Sequence, residues 1–199
     1  MKKISTLFVI NYNDGHKGEI TPYIREENSW VTPQTAIPTR KWNGAAHCII
    51  NGELYKRYDV KNGKSVPLGA IPCQEPDSIT GHHPHWVKCN RKDDKYPFEA
   101  FDKLKEYYSS EAFSDRNDLN QLDGTYELCG EKVQGNPEKV KGHALIKHGQ
   151  EVLDLKDFSF ESIKLYLSNP FNDIEGIVFH EINGDRMCKI RKTDFGFIR

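Results

Sequence analysis

The sequence predicts an α+β fold dominated by antiparallel sheet, with its helices packed on the outside. Turn signals are dense and most apolar runs are short, a pattern typical of many strands and few helices. Only two segments carry apolar residues at helical spacing. Asn-Gly dipeptides separate two pairs of strand-like runs, and they favour hairpins over the crossovers of a doubly wound parallel sheet.

The two predicted helices cover residues 98–108 and 159–168. Each presents apolar side chains on one face at spacings of three or four residues. These side chains are Phe98, Phe101, Leu104 and Tyr108 in the first helix, and Phe160, Ile163 and Leu167 in the second. The dipeptide Asn169-Pro170 then supplies a helix stop.

The first predicted hairpin turns at Asn51-Gly52, the strongest short hairpin signal because both residues tolerate positive φ. A two-residue turn pairs Ile50 with Glu53 and, further along, Ala46 with Arg57. This register brings the stretch that begins at Lys41 close to Arg57.

The second predicted hairpin turns at Asn183-Gly184, and the same count sets Val178 opposite Lys189. Glu175 and Lys189 are therefore expected at the same end of one ribbon. A weaker hairpin is predicted at His148-Gly149.

Length and composition predict a single globular domain over residues 1–199. The formal net charge of −1 excludes a protein that coats nucleic acid by charge alone, although the last fourteen residues hold five basic residues and one acidic residue. Five scattered cysteines without a CxxC pair indicate neither a zinc ribbon nor a disulfide framework. The opening apolar run, STLFVI, is too short for a signal peptide and is interpreted as a strand. We expect a cytoplasmic protein with no membrane partner.

Candidate chemistry begins at Lys41, in the stretch TRKWNGAAHCII. A lysine before such a turn is ordinarily a solvated loop residue, but three further elements follow it in order. They are KRYDVKNGK around Arg57, GTYELCGEKVQGNP around Glu127, and the pair EGIVFH and CKIRKTDFG, in which Glu175 and Lys189 are fourteen residues apart.

This ordered set resembles the covalent nucleotidyltransferases, the superfamily of RNA and DNA ligases and mRNA capping enzymes, and above all the small ATP-dependent RNA ligases. The resemblance spans residues 39–196 and implies an adenylyltransferase domain. It implies that Lys41 is the catalytic nucleophile and that Glu175 faces the metal. The nucleotide-binding residues that it implies are Arg40, Asn43, Gly44, Arg57, Glu127, Lys189 and Arg191.

The resemblance also implies the ligands: ATP, Mg²⁺ (or Mn²⁺ in its place), and RNA ends that carry a 5′-phosphate and a 3′-hydroxyl. Two positions depart from the family pattern. Asn43 replaces an aspartate, which keeps a hydrogen-bonding side chain but loses the charge. Arg191 replaces a lysine and can bind phosphate as a fork.

The physical chemistry of these residue types fits that assignment. A lysine attacks a phosphate only as a neutral amine, and a free pKa of about 10.4 leaves roughly one molecule in 2,500 neutral at pH 7. Neighbouring cations lower such a pKa and also stabilise charge that develops on the phosphate. Lys189 and Arg191 alternate with Ile190, so a strand would point both cations to one face.

Several alternatives stay open from the sequence. A DNA ligase or a GTP-dependent capping enzyme would share the motifs, but the chain ends ten residues after Lys189, so we expect no OB domain. A non-catalytic nucleotide or RNA-end binding module would keep the fold and lose the lysine chemistry. Lys132, Gln134 and Asn136 could line an RNA or nucleotide edge. The segment TGHHPHW is interpreted as a loop whose Trp86 packs, rather than as a metal site.

Overall fold

A computed structural model describes residues 2–12, 18–78, 80–110 and 119–198, with 119 and 120 described by their backbone alone. Twelve strands and two α-helices are found in these residues. In chain order they are β1 (Ser5–Thr6), β2 (Phe8–Asn11), β3 (Glu19–Ile24), β4 (Ala36–Lys41), β5 (Ala45–Ile50), β6 (Glu53–Val60), β7 (Ile71–Pro72), β8 (His83–Lys88), α1 (Lys95–Ser109), β9 (Gly124–Gly130), β10 (His143–Lys147), α2 (Phe160–Ser168), β11 (Gly176–Glu181) and β12 (Met187–Arg191).

The chain divides into two compact units. Unit 1 comprises Met1–Lys3 and Asn43–His148, and unit 2 comprises Ile4–Trp42 and Gly149–Arg199. The division falls inside the motif that begins at Lys41. A compact unit is not the same as a domain, so the single domain over 1–199 stays a prediction.

Unit 1 is built on a six-stranded antiparallel sheet in the order β10-β9-β5-β6-β8-β7. The β5–β6 hairpin pairs Ile50 with Glu53, as the sequence predicts, and its register continues to His47 opposite Lys56. Asn51 and Gly52 both adopt positive φ, which is the conformation that a two-residue turn of this kind requires.

Helix α1 covers one face of that sheet. Ala100 and Phe101 are buried in a core with strand residues such as Ile49 and Leu128, while Phe98, Leu104 and Tyr108 pack at its margin. The predicted amphipathic helix is therefore confirmed, and its structure extends over Lys95–Ser109.

Unit 2 contains a four-stranded sheet in the order β1-β12-β11-β4 and a separate β2-β3 pair. Within the four-stranded sheet only β1 and β12 run parallel. Helix α2 buries Ile163 and Leu167 against the sheet, and Phe160 packs beside them. The helix is capped by Ser159, whose side chain accepts a hydrogen bond from the backbone of Ser162.

Together these elements confirm the α+β fold, rich in antiparallel sheet and with two helices that pack against sheets. Two local expectations were wrong. Residues 83–88 form strand β8 and pair with β6, although the burial of Trp86 agrees with the prediction. The chain does not form a hairpin at His148-Gly149, because no strand among the described residues follows that turn to pair with β10, and Val152 instead bridges to Thr39.

Other composition-based expectations concern cysteines and membranes. All five cysteines are free, and four of them are buried. Burial raises the pKa of the Cys48, Cys89 and Cys188 thiols to about 12, so these thiols are not reactive at neutral pH. Within the described part of the chain, no helix combines the length and apolarity needed to cross a membrane.

Candidate functional site

The sheet of unit 2 collects three of the predicted cations on one face. Gly176 on β11 lies opposite Lys41 on β4 and opposite Arg191 on β12. Directly opposed residues of an antiparallel pair share a face, and so do residues two apart on one strand. Lys41, Lys189 and Arg191 therefore project from the same side of the sheet.

The opposite side of this sheet is the hydrophobic core of unit 2. Ile177, Phe179, Cys188 and Ile190 alternate with the polar positions and are completely buried. A shift of one residue in either strand would turn its apolar side chains to the solvent and its polar side chains to the core. The burial of the apolar residues therefore fixes which face carries the cations. The predicted pairing of Val178 with Lys189 is confirmed.

Glu175 completes this cluster from the residue before β11. Its Oε2 accepts a hydrogen bond of 2.5 Å from Nζ of Lys41, and both side chains are about one-fifth exposed. The backbone N–H of Lys192 donates to the carbonyl of Glu175 at 2.9 Å and fixes the carboxylate-bearing residue against β12. A carboxylate and a lysine that are 134 positions apart in sequence thus come into direct contact.

Burial lowers the pKa of Lys189, and the positive charges of Lys41 and Arg191 lower it further. The fold therefore concentrates positive charge here at an electrostatic cost. The carboxylates of Glu175 and Asp194, which are paired with Lys41 and Arg191, oppose this lowering of the Lys189 pKa.

Arg191 is held by a carboxylate that the sequence reasoning missed. Asp194 binds its guanidinium at 2.7–3.3 Å and its backbone N–H at 2.8 Å. These bonds raise the pKa of Arg191 and orient the side chain. Asp194 is the third residue of a short 3-10 helix, Lys192–Phe195, and its carboxylate accepts from the backbone N–H of the residue before that helix.

Arg40 is also engaged in specific contacts. It forms an ion pair with Glu151 at 3.3 Å, and its guanidinium lies 3.9 Å from the centre of the Trp42 ring. These interactions orient Arg40 and Trp42, the two neighbours of Lys41 in the chain. They therefore restrain the backbone from which the lysine projects.

Unit 1 carries the other predicted residues. Oε1 of Glu127 accepts a 3.0 Å hydrogen bond from the backbone N–H of Gly44. Gly44 permits this close approach, since a Cβ at that position would lie 2.1 Å from the carbonyl oxygen of Leu128. The backbone N–H of Asn43 donates to Glu138 at 2.8 Å. Glu127 and Glu138 therefore fix the end of the Lys41–Gly44 motif.

His148 is a second contact of Glu127 that the sequence reasoning missed. Its Nε2 lies 3.0 Å from Oε2 of Glu127, and its Nδ1 lies 3.0 Å from the hydroxyl of Thr125. No short motif marks His148, because its partner lies on a neighbouring strand. The glutamate is thus oriented by backbone on one oxygen and by an imidazole on the other.

Arg57 lies opposite Trp86 in the β6–β8 register. Its Nε is buried and has no hydrogen-bond partner among the described residues. The proximity of Lys41 to Arg57 stays a prediction.

The metal-binding capacity of the chain can be judged from its donor set. In residues 2–12, 18–78, 80–110 and 119–198, no three histidine, cysteine or carboxylate side chains converge to form a metal cage. Mg²⁺, however, is commonly held by one or two carboxylates together with substrate phosphates and water. Glu175 fits that mode, and it lies beside cations that would face the same phosphates.

Comparisons with known proteins complete the description of the site. No family model matches the chain, and no curated protein matches it. Among solved structures, the chain is similar to a Naegleria gruberi RNA ligase, in a lysine-to-methionine mutant form with AMP and Mn. The identity is 16%, the TM-score is 0.46, and the match covers 96% of this chain and 60% of that one. The chain therefore spans 60% of the length of that protein.

Proposed function

We propose that the chain is an ATP-dependent RNA ligase that joins 5′-phosphate and 3′-hydroxyl ends through a lysyl-AMP intermediate. The observation that carries this proposal is the contact between Lys41 and Glu175, on a sheet face that also presents Lys189 and Arg191. A potential nucleophile, a proton acceptor and two phosphate-binding cations thus occur together.

The first step is attack of the Lys41 amine on the α-phosphorus of ATP. A nitrogen–phosphorus bond forms, the bond to the β-phosphate oxygen breaks, and pyrophosphate leaves. An ammonium has no free electron pair, so its proton must leave before the attack, and Glu175 is an acceptor within hydrogen-bond distance. Lys189 and Arg191 stabilise the charge that develops on the phosphate oxygens.

The next two steps transfer and then release AMP. An oxygen of the RNA 5′-phosphate attacks the lysyl-AMP phosphorus, the nitrogen–phosphorus bond breaks, and Lys41 recovers its proton. A 3′-hydroxyl then attacks the phosphorus of the activated 5′-phosphate, a phosphodiester forms, and the phosphoanhydride bond to AMP breaks. AMP leaves, and the hydroxyl proton passes to water. The cations that bind the α-phosphate in the first step serve the same phosphate in both later steps.

The remaining residues have supporting roles in this proposal. Glu127, oriented by Gly44 and His148, and Arg57 bind the nucleotide, while Arg40 and Asn43 position the nucleophile. Glu175 passes the proton of Lys41 on to water and, once its bond to Lys41 is broken, would hold Mg²⁺ together with phosphate oxygens. The metal would supply charge neutralisation at the phosphates. The cytoplasmic location stays a prediction.

The test is covalent labelling with α-³²P-ATP and magnesium, followed by denaturing electrophoresis. We expect label on the wild-type chain and none on Lys41→Ala. Lys164→Ala, which removes a lysine from helix α2, is the matched control and should label normally.

Absence of label on the wild type, or equal labelling of Lys41→Ala, would refute the mechanism and favour a non-catalytic binding module. Parallel reactions with α-³²P-GTP, and with RNA or DNA strands, separate an RNA ligase from a capping enzyme or a DNA ligase.

A further inference from the structure

Unit 1 contains a cavity of about 480 Å³ at the open end of the β5–β6 hairpin. The paired residues of these strands end at His47 and Lys56, and the cavity lies where the strands separate. Tyr96 at the start of α1 and the loop after β9, with Lys132 and Gln134, form its other walls. This volume is within the range of small-ligand sites, which is roughly 300–1,000 Å³.

The charged side chains around the cavity favour an anion. Lys56 is paired with Asp94 at 2.6 Å, which compensates its charge. Asp59, whose carboxylate lies 3.1 Å from Nδ1 of His82, is the acidic side chain of the lining. Arg57 and Lys132 also line the cavity. Neither has an ion-pair partner among the residues that the structure describes. Two cations are therefore available to a ligand.

His47 adds a requirement that an anion alone does not meet. The side chain is 3% exposed, and its Nδ1 lies 2.8 Å from the carbonyl oxygen of Ala45. A carbonyl oxygen only accepts, so Nδ1 carries the proton and Nε2 of the neutral ring is an acceptor. Burial lowers the pKa of His47, which keeps the ring neutral at pH 7. Nε2 is buried and has no partner in the described residues.

We propose that this cavity binds one ribonucleotide of the RNA substrate, with its phosphate on Lys132 and a ribose hydroxyl donating to Nε2 of His47. This proposal rests on the proposed function in one respect, namely that RNA is the substrate. The 2′-hydroxyl is a hydrogen-bond donor that deoxyribose lacks. His47 would then help the protein to distinguish RNA from DNA.

Other lining residues suit the same ligand. Ala45, Pro97, Leu128 and Val133 offer an apolar surface to a sugar or base. Inorganic phosphate would satisfy the cations and leave the imidazole unpaired, so it is the poorer ligand. Because Nε2 is covered in the ligand-free chain, the walls must part slightly as the hydroxyl enters.

The test is fluorescence anisotropy with a labelled oligoribonucleotide and with the DNA strand of the same sequence, in EDTA and without ATP. We expect the wild type to bind the RNA about five- to tenfold more tightly, the effect of one hydrogen bond to a buried partner. His47→Phe should remove this preference, while His47→Gln, which keeps an acceptor, should retain part of it. Circular dichroism melts verify that each variant is folded.

Lys132→Ala provides a second test that does not disturb the core, because Lys132 is exposed. It should weaken binding of both strands about threefold or more and reduce the salt dependence of binding. Lys64→Ala, at another exposed lysine of unit 1, is the matched control and should bind as the wild type does. Equal affinity of the wild type for RNA and DNA, or unchanged binding by Lys132→Ala, would overturn the proposal.

Competition identifies the source of the ribonucleotide. If AMP displaces the labelled RNA and dAMP does not, the cavity also binds a free ribonucleotide. If AMP does not displace the RNA, the cavity binds a ribonucleotide only as part of a strand. Wild-type labelling with α-³²P-ATP is measured separately. If no lysyl-AMP forms, the proposed ligase function is wrong. The cavity proposal is tested separately, by the binding results.

Discussion

Glu175 in unit 2 and Glu127 in unit 1 are both central to the proposed chemistry, yet they are held in different ways. Glu175 contacts the flexible ammonium of Lys41, whereas Glu127 accepts from the backbone of Gly44 and contacts His148. A long side chain can leave its partner when a substrate arrives, but a backbone N–H directly before strand β5 is held in place by the chain. In the proposed reaction we therefore expect Glu175 to exchange partners, whereas Glu127 keeps its bond to the backbone of unit 1.

The largest expected effect tests the exchangeable carboxylate. Glu175→Gln keeps the shape of the side chain but removes the charge and the capacity to accept a proton, so we expect lysyl-AMP formation to fall about hundredfold or more. The free energy of unfolding should change by about 1–2 kcal/mol, since the amide oxygen of the glutamine can still accept from Lys41. Single-turnover labelling and urea unfolding provide the two measurements.

Glu161→Gln, on the exposed face of α2, is the matched control for that variant and should leave both quantities unchanged. A large loss of stability in Glu175→Gln with normal labelling would reverse the roles assigned to the two glutamates.

Replacement of the fixed carboxylate, Glu127, should have a larger effect on stability than replacement of Glu175. Glu127→Ala leaves the N–H of Gly44 without its acceptor, so we expect a loss of about 1–3 kcal/mol in the free energy of unfolding. Glu127→Gln retains an oxygen for that bond and should lose clearly less. Urea unfolding of both variants measures the difference, and equal stabilities would show that the Gly44 contact does not hold this end of the motif.

The smallest expected effect concerns the pH dependence of stability in unit 1. Burial lowers the folded-state pKa of His47 below its ordinary value of 6.5, although the charges of Glu127 and Asp94 oppose this shift. Below about pH 6.5 the unfolded state therefore binds a proton that the folded state does not, and the free energy of unfolding falls until the folded-state pKa is passed. His47→Gln should lose less stability than the wild type between about pH 7.5 and about pH 5.5.

Thermal melts across that range measure this slope for the wild type and the variant. Identical slopes would mean that His47 is not buried as a neutral ring, and they would also weaken the argument for its role as an acceptor in the cavity.

The local sequence predicted those features that depend on neighbouring residues. Asn51-Gly52 and Asn183-Gly184 each specify a tight turn, and the turn fixes the register that sets Val178 opposite Lys189. Ser159 and the apolar spacing behind it specify α2. These signals act over a few residues, so they can be recognised without knowledge of the rest of the chain.

Tertiary structure alone decided the remaining contacts. Neither the pairing of β4 with β11, which brings Lys41 to Glu175, nor the position of His148 beside Glu127 has a local signal. The strand character of residues 83–88 was likewise hidden, because Pro84 and the histidines around it do not alternate as a strand does. The pairing of residues 83–88 with β6 and the burial of Trp86 outweigh the weak strand propensity of this segment.

The sequence by itself therefore determined the two helices, the two Asn-Gly hairpins and the order of the candidate motifs. The tertiary structure decided which strands became neighbours and which partners each candidate residue received. The physical reason is that turn and capping bonds form between residues close in the chain. Strand order and side-chain contacts, in contrast, depend on the apolar surface that the whole chain buries, as in the sheet that places Ile177 and Ile190 inside and Lys41 outside.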